Sequence, residues 1–171
     1  MDVTGPSASS RLRMTDRISA SMVYQVPMVE VSVVVALDGV EPEEYSVYLA
    51  PYAEKREGTE TLADYLNGRR SFFPMIAGGV PKMINRDQIT WVKFEKLPHI
   101  VDMEITIIEK LSILEMADGS RIEGIIPIDR PQEQSRLSDV LNDPRDAFIR
   151  IDDEEDTYYV NKRFIRLLIP R

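Results

Sequence analysis

The chain has 171 residues, with 21 Lys and Arg against 29 Asp and Glu, a formal charge of -8, no Cys and one His. The missing Cys excludes disulfides, thiolate metal sites, iron–sulfur clusters and Cys nucleophiles, and a single His excludes a multi-His metal site within one chain. The 43% hydrophobic fraction is too high for a disordered chain, and no stretch approaches the roughly 18 apolar residues that a membrane-spanning helix needs.

Residues 1–20 are polar, Ser-rich and carry Arg11, Arg13 and Arg17. They lack the apolar run of about 7–15 residues that follows the basic start of a secretory signal. They read as a loosely docked N-terminal arm of a cytoplasmic protein, with a short amphipathic organelle leader as the alternative.

Val29 to Leu37 is β-branched and nearly continuous, which predicts a strand buried on both faces or nearly so. Asp38-Gly39 is turn chemistry, and Tyr45 to Ala50 alternates as the returning strand. Leu62 to Asn67 reads as a short helix: Leu62 and Leu66 share a face, Thr61 caps it, and Asp64 sits in the first turn, where negative charge is favoured. Asn67-Gly68 stops it, because both residues tolerate the left-handed conformation. Phe72 to Ile76 and Lys82 to Ile84 are strands around a Gly78-Gly79 turn, and Ile89 to Phe94 is another. Leu97 to Ile100 forms a joint, with His99 as an exposed linker residue. Further strands are predicted over Leu111 to Met116, Arg121 to Ile128, Ala147 to Ile151, Thr157 to Val160 and Phe164 to Ile169. Ile105 to Ile108 extends the first of these or adds one before it. A second helix is predicted over Leu137 to Asn142, stopped by Pro144.

The second series repeats the first. Leu62-Ala63-Asp64-Tyr65-Leu66-Asn67 returns as Leu137-Ser138-Asp139-Val140-Leu141-Asn142. Phe73 matches Phe148, Ile76 matches Ile151, and Asn85 to Ile89 matches Asn161 to Ile165. Leu37-Asp38-Gly39 matches Ala117-Asp118-Gly119. The organisation is therefore an arm (1–20) and two related units, 21–98 and 99–171.

In the second unit a strand meets Asp118-Gly119, Gly124 follows in the next strand, and the chain closes on Tyr159 to Pro170 around a tight turn. This outline resembles the Sm-like small β-barrel, a strongly bent five-stranded sheet whose last two strands are joined by one helical turn. The resemblance covers about 60 residues of each unit and implies a mainly β protein. Two tandem Sm-like barrels, each with a short inserted helix, are expected to pack on each other and leave few free edges. It also implies association of chains, since Sm-like domains commonly assemble into rings. Two features depart from the family: the first unit has no Gly matching Gly124, and a helix stands where Sm-like RNA binders place a short loop. The family's uracil-binding residues thus have no counterpart here.

No site for catalysis, metal or cofactor is nominated. Ala77 to Pro81 has no Lys-Ser/Thr and lies between strands, so it reads as a hairpin turn and not a phosphate loop. The run Asp152 to Asp156 lacks the Gly and the spacing of a calcium loop. It reads as a solvated hairpin tip, with a docking surface for a basic partner or a Ca²⁺ or Mg²⁺ site as alternatives. Asp64, Asn67, Asp139 and Asn142 recur in both units, as do Asn85 and Asn161. With Lys162 and Arg163 they are the candidate interaction residues, beside the structural reading of caps and turn residues. Trp91 and Phe94 read as core or as packing between the units, with a base-stacking platform as the alternative.

Basic and acidic residues number 3 and 2 in residues 1–20, 8 and 11 in 21–98, and 10 and 16 in 99–171. Nucleic-acid affinity rests mainly on Lys and Arg against phosphates. The acidic balance therefore disfavours RNA, although it leaves room for a local basic patch such as Lys162-Arg163-Arg166 or Arg69-Arg70. A non-enzymatic interaction or assembly module, with a protein partner or a second copy of the chain and no membrane, is the leading expectation. An Sm-like RNA binder is the first alternative. An enzyme using carboxylates alone is the second, and it requires two Asp or Glu facing one pocket.

Overall fold

The computed structural model describes residues 27–53, 57–96 and 107–171. The expected arm, the joint with His99, and Ile105 and Thr106 lie outside the described residues. The protein is mainly β. Ten antiparallel strands form one sheet, in the order β10-β6-β7-β8-β9-β5-β1-β2-β3-β4. They are β1 (Val29–Leu37), β2 (Glu43–Leu49), β3 (Phe72–Ala77), β4 (Val80–Asn85), β5 (Ile89–Glu95), β6 (Ile108–Met116), β7 (Arg121–Ile128), β8 (Phe148–Asp152), β9 (Asp156–Asn161) and β10 (Ile165–Pro170). The helices α1 (Leu62–Leu66) and α2 (Leu137–Asn142) follow β2 and β7. No helix among the described residues is long and apolar enough to cross a membrane.

The local chemistry explains the elements. Gly78 and Gly79 both have positive φ, 55° and 78°, as the tightest two-residue hairpin turn requires. Thr61 caps α1: its Oγ1 accepts from the Asp64 N–H at 3.2 Å, and Asp64 Oδ2 accepts from the Thr61 N–H at 2.9 Å. A tight 3₁₀ turn links β4 to β5 and another links β9 to β10. Asn85 and Asn161 open these turns, accepting from the N–H of Asp87 and of Arg163.

Each half follows the same plan. The order β5-β1-β2-β3-β4 is repeated by β10-β6-β7-β8-β9. In each half the second and third strands meet at one registered pair, Ser46↔Ile76 and Ile125↔Asp152. Arg86 Nη1 donates to Gly68 O, and in the matching place Lys162 Nζ donates to Asp143 O.

Several expectations need correction. The halves are not two closed barrels packed face on face. They join edge to edge through β5 and β9 in one open sheet, because each edge carries the backbone donors and acceptors the other lacks. Among the described residues β4 and β10 are the two edge strands of this sheet. The matched pairs also move by one residue. Phe72 pairs with Asn85 in β3–β4 and Phe148 pairs with Asn161 in β8–β9, so Phe72, not Phe73, corresponds to Phe148. The turn at Asp38-Gly39 likewise corresponds to Ala117-Asp118, since Leu37 faces Ile89 as Met116 faces Ile165. β1 is buried only in its later part, with Val29 exposed and Val33, Val35 and Ala36 buried. Asn67 is not left-handed (φ -91°); its side chain has another use.

The core has two clusters. One gathers buried side chains of β1, β2, α1, β3 and β5, and also Phe148 and Tyr159 from the second half. The other gathers β6 to β9, with Trp91 of the first half packed on it. Each half therefore completes the other's core.

Candidate functional site

The joint between the halves is made by β5 and β9. β5 and β9 pair from Trp91↔Val160 to Glu95↔Asp156. Trp91 meets Tyr158 edge-on at 5.7 Å between ring centroids, and Phe94 stacks on Tyr159 at 6.0 Å. Lys93 Nζ lies 2.8 Å from Asp156 Oδ2 and over the Tyr158 ring; its pKa is raised, first by the bond to Asp156.

Two asparagines clamp the joint. Asn67 makes two hydrogen bonds to the Phe148 backbone, its Oδ1 accepting the N–H at 2.8 Å and its Nδ2 donating to the carbonyl at 3.2 Å. Asn161 donates to the Ile89 carbonyl at 2.9 Å. An amide side chain is the natural clamp because it offers a donor and an acceptor side by side, as a strand does.

The acidic run is an exposed hairpin tip only at Glu154 and Glu155. Asp152 is buried, receiving Arg150 at 2.8 Å through both oxygens and Thr157 at 2.9 Å. Asp153 shapes the turn by accepting from the N–H of Glu155 and Asp156. Lys96 donates its N–H to Glu155 O and its Nζ to Asp153 O. The basic surface that this run meets is the first half's own Lys93 and Lys96.

The remaining candidates are placed as follows. Asp139 accepts from the Arg136 N–H at 3.2 Å, as Asp64 does from Thr61, so both aspartates are helix caps. Asn142 lies at the end of α2 and donates to Ser138 O at 2.8 Å. Asn85 sits on the open β4 edge. Lys162 is held on Asp143 O, and burial lowers its pKa. Arg163 Nη1 stands 3.9 Å from Asp87. Arg166 donates to Ala117 O at 2.6 Å, and Arg70 lies over the Tyr65 ring. The expected basic patches are thus largely taken up by contacts within the protein.

Sequence reasoning missed Phe72 and Met83. Phe72 is 51% exposed, whereas its counterpart Phe148 is 2% exposed. Met83 is 65% exposed, whereas its counterpart Tyr159 is 8% exposed. Val80 on the same edge is exposed too, as are Leu167 and Ile169 on β10. Isolated exposed apolar residues are ordinary, but clusters on unpaired strands mark contact surfaces.

A cleft of about 850 Å³ lies beside the joint, lined by residues that include Asp64, Asn67, Arg69, Arg130, Arg150 and Tyr159. Its charges are mixed. Arg130 is tied to Asp143 at 2.8 Å and Arg150 to Asp152. Among the described residues no three His, Asp or Glu side chains gather to hold a metal ion.

Asp143 is the electrostatic anchor behind this cleft. Arg145 donates to it from the backbone, from Nε and from Nη2, and Arg130 adds a further bond. These bonds hold its carboxyl well below the usual carboxylate range. A depressed acid stabilises the fold fully above its unfolded pKa of about 4, and that contribution fades as pH falls towards the folded value. Thermal melting of wild type is therefore expected to fall steeply below about pH 4. Asp143→Asn melts lower at pH 7 and has a shallower acid limb, and parallel acid limbs for the two proteins contradict this assignment.

The fold and joint define a mainly β protein whose described strands form one antiparallel sheet. Compared with known family profiles, curated proteins and solved structures, the chain matches none.

Proposed function

We propose that the chain is a cytoplasmic, non-enzymatic interaction module, built of two Sm-like five-stranded units in tandem within one open sheet, that binds protein partners along its outer sheet edges. The observation that carries this reading is the matched contrast in burial. Phe148 and Tyr159 are buried where β9 and its hairpin meet β5, and their counterparts Phe72 and Met83 lie exposed where β4 has no further strand beside it among the described residues. The repeated strand order, the single bent contact between second and third strands, and the 3₁₀ turn before each last strand support the Sm-like part. The occupation of Lys162, Arg166 and Arg70 by protein groups favours a protein partner over RNA.

Affinity capture with the full chain tests the reading. Wild type is expected to retain a defined set of proteins, itself included, that Met83→Lys and Leu167→Lys each lose in part. Retention of the same set by the double variant overturns edge docking.

A further inference from the structure

We infer that a second cleft at the joint binds an arginine side chain, presented by an extended basic segment of a partner protein. The cleft is lined by no residue of β4 or β10, so this goes beyond edge docking and stands without it. Its volume is about 560 Å³, room for one long side chain and its flanking backbone. Both halves build it. Asp38 and Glu41 come from the β1–β2 turn and Asp118 from the β6–β7 turn. Trp91 of β5, Tyr158 of β9 and Phe164 of the last 3₁₀ turn bring aromatic rings. The rings are half-buried and the three acidic residues are exposed, so an aromatic floor lies under an acidic rim.

The floor suits a cation. Trp91 and Tyr158 stand 5.7 Å apart between centroids with their planes at 69°, and two rings at such an angle form a corner. The faces of aromatic rings are negative and attract cations. Tyr158 already attracts one, since Lys93 Nζ lies 5.9 Å from its ring centroid. The fold does not require these rings. By register, Leu167 in β10 corresponds to Trp91, and Lys82 in β4 corresponds to Tyr158. Gln88 ends the first 3₁₀ turn where Phe164 ends the last. None of the three counterparts is aromatic, so the aromatic set belongs to this cleft and not to the repeated plan.

Charge complementarity selects the occupant. Against Asp38, Glu41 and Asp118 the lining sets one cation, Arg121, and its Nη2 is 3.2 Å from Glu115 Oε2. Asp118 Oδ1 accepts from the N–H and the hydroxyl of Ser120, which fixes its carboxylate in place. An anion is repelled by this rim. Among cations a guanidinium fits it best, because its flat face stacks on an aromatic ring while its N–H donors point outward along the edge to carboxylates. A lysine ammonium is more strongly hydrated, and a quaternary ammonium has no N–H to give. The aliphatic stem of an arginine covers half-buried Leu37 and Ile122. Val40, 60% exposed at the same cleft, gives the flanking backbone an apolar contact.

Trp91 is the only tryptophan of the chain, so its emission reads the cleft directly. The probe is the peptide acetyl-Gly-Ser-Arg-Ser-Gly-amide, titrated into the full chain beside peptides with lysine, trimethyl-lysine or citrulline at the central place. The arginine peptide is expected to change Trp91 emission saturably, with a Kd below about 1 mM that weakens with added salt. Lysine and trimethyl-lysine bind more weakly, and citrulline, which keeps the shape without the charge, does not bind. Asp38→Asn combined with Glu41→Gln lowers the affinity about fivefold with unchanged melting, since both side chains are exposed. No saturable change with the arginine peptide overturns the site. Equal or tighter binding of the lysine or trimethyl-lysine peptide overturns arginine as the occupant, and an affinity untouched by the double variant overturns the acidic rim. Arg11, Arg13 and Arg17 lie outside the described residues. If changing all three to Ala shifts the emission of the chain alone and tightens peptide binding, the occupant is the chain's own N-terminal stretch, and the partner segment is overturned.

Discussion

Phe148→Ala is expected to lower stability by about 3–5 kcal/mol, whereas Phe72→Ala at the corresponding place changes it by less than about 0.5 kcal/mol. Both residues begin the third strand of their half and pair with the Asn that opens the 3₁₀ turn. They differ in what covers them. Phe148 belongs to the first half's core beside Leu62, Tyr65 and Leu66, and Asn67 holds its backbone in place. Truncating it leaves a cavity between α1 and the sheet, which the close-packed surroundings fill only in part. Phe72 is open to water, and truncation there removes little from the single chain. Urea unfolding followed by Trp91 fluorescence measures both, because Trp91 stands at the joint against Tyr158. Equal losses in the two variants, measured at low concentration, sink the claim that the halves are joined through Phe148. If the copies associate, Phe72→Ala also weakens association while leaving dilute-chain stability intact, a split that a purely structural Phe72 does not give.

The elements were largely legible in the sequence because local chemistry determines them. Thr61 with Asp64 announces the start of α1, Gly78-Gly79 announces a hairpin, and Asn85 and Asn161 announce tight turns; each is found as read. The pairing of β5 with β9 was not legible. Hydrophobic alternation says which face of a strand is buried, and says nothing about which strand lies beside it. The acidic run illustrates the loss. The run looks wholly solvated until a distant pairing brings Lys93 to the Asp156 carboxylate and Lys96 to the Asp153 carbonyl. The one-residue slip has a similar cause. Phe72 and Phe73 are adjacent and identical, so matching by residue type selects either. Register decides: Phe73 pairs with Ile84 as Ile149 pairs with Val160, and Phe72 pairs with Asn85 as Phe148 pairs with Asn161. Asn67 was singled out by its recurrence, but its work lies across the joint, where no pattern within its own helix points.

Gly124→Ala is expected to cost about 2–3 kcal/mol, a fall in melting temperature of roughly 4–12 °C for a chain of this size. The cause is close approach and not backbone freedom. A Cβ at Gly124 would stand 2.3 Å from the Asp152 carbonyl oxygen, 2.8 Å from its carbon and 3.0 Å from Ile151 Cγ1. Two of these atoms are backbone, so relief requires β8 to withdraw from β7 where Ile125 and Asp152 make the only registered pair between them. Withdrawal also disturbs Asp152, which is buried with Arg150 and Thr157 directly beside the joint. The first half solves the same bend differently. Tyr45 occupies the corresponding place, buried, with its hydroxyl donating to Glu43 Oε2 at 2.7 Å. Burial, and then that bond to a carboxylate, push its phenol up to about 12. The two halves share a strand order but differ at this point, so Tyr45→Gly opens a cavity where Gly124→Ala creates a clash. A Gly124→Ala protein that melts within a degree or so of wild type contradicts the tight bend, and with it the placement of Asp152 behind the joint.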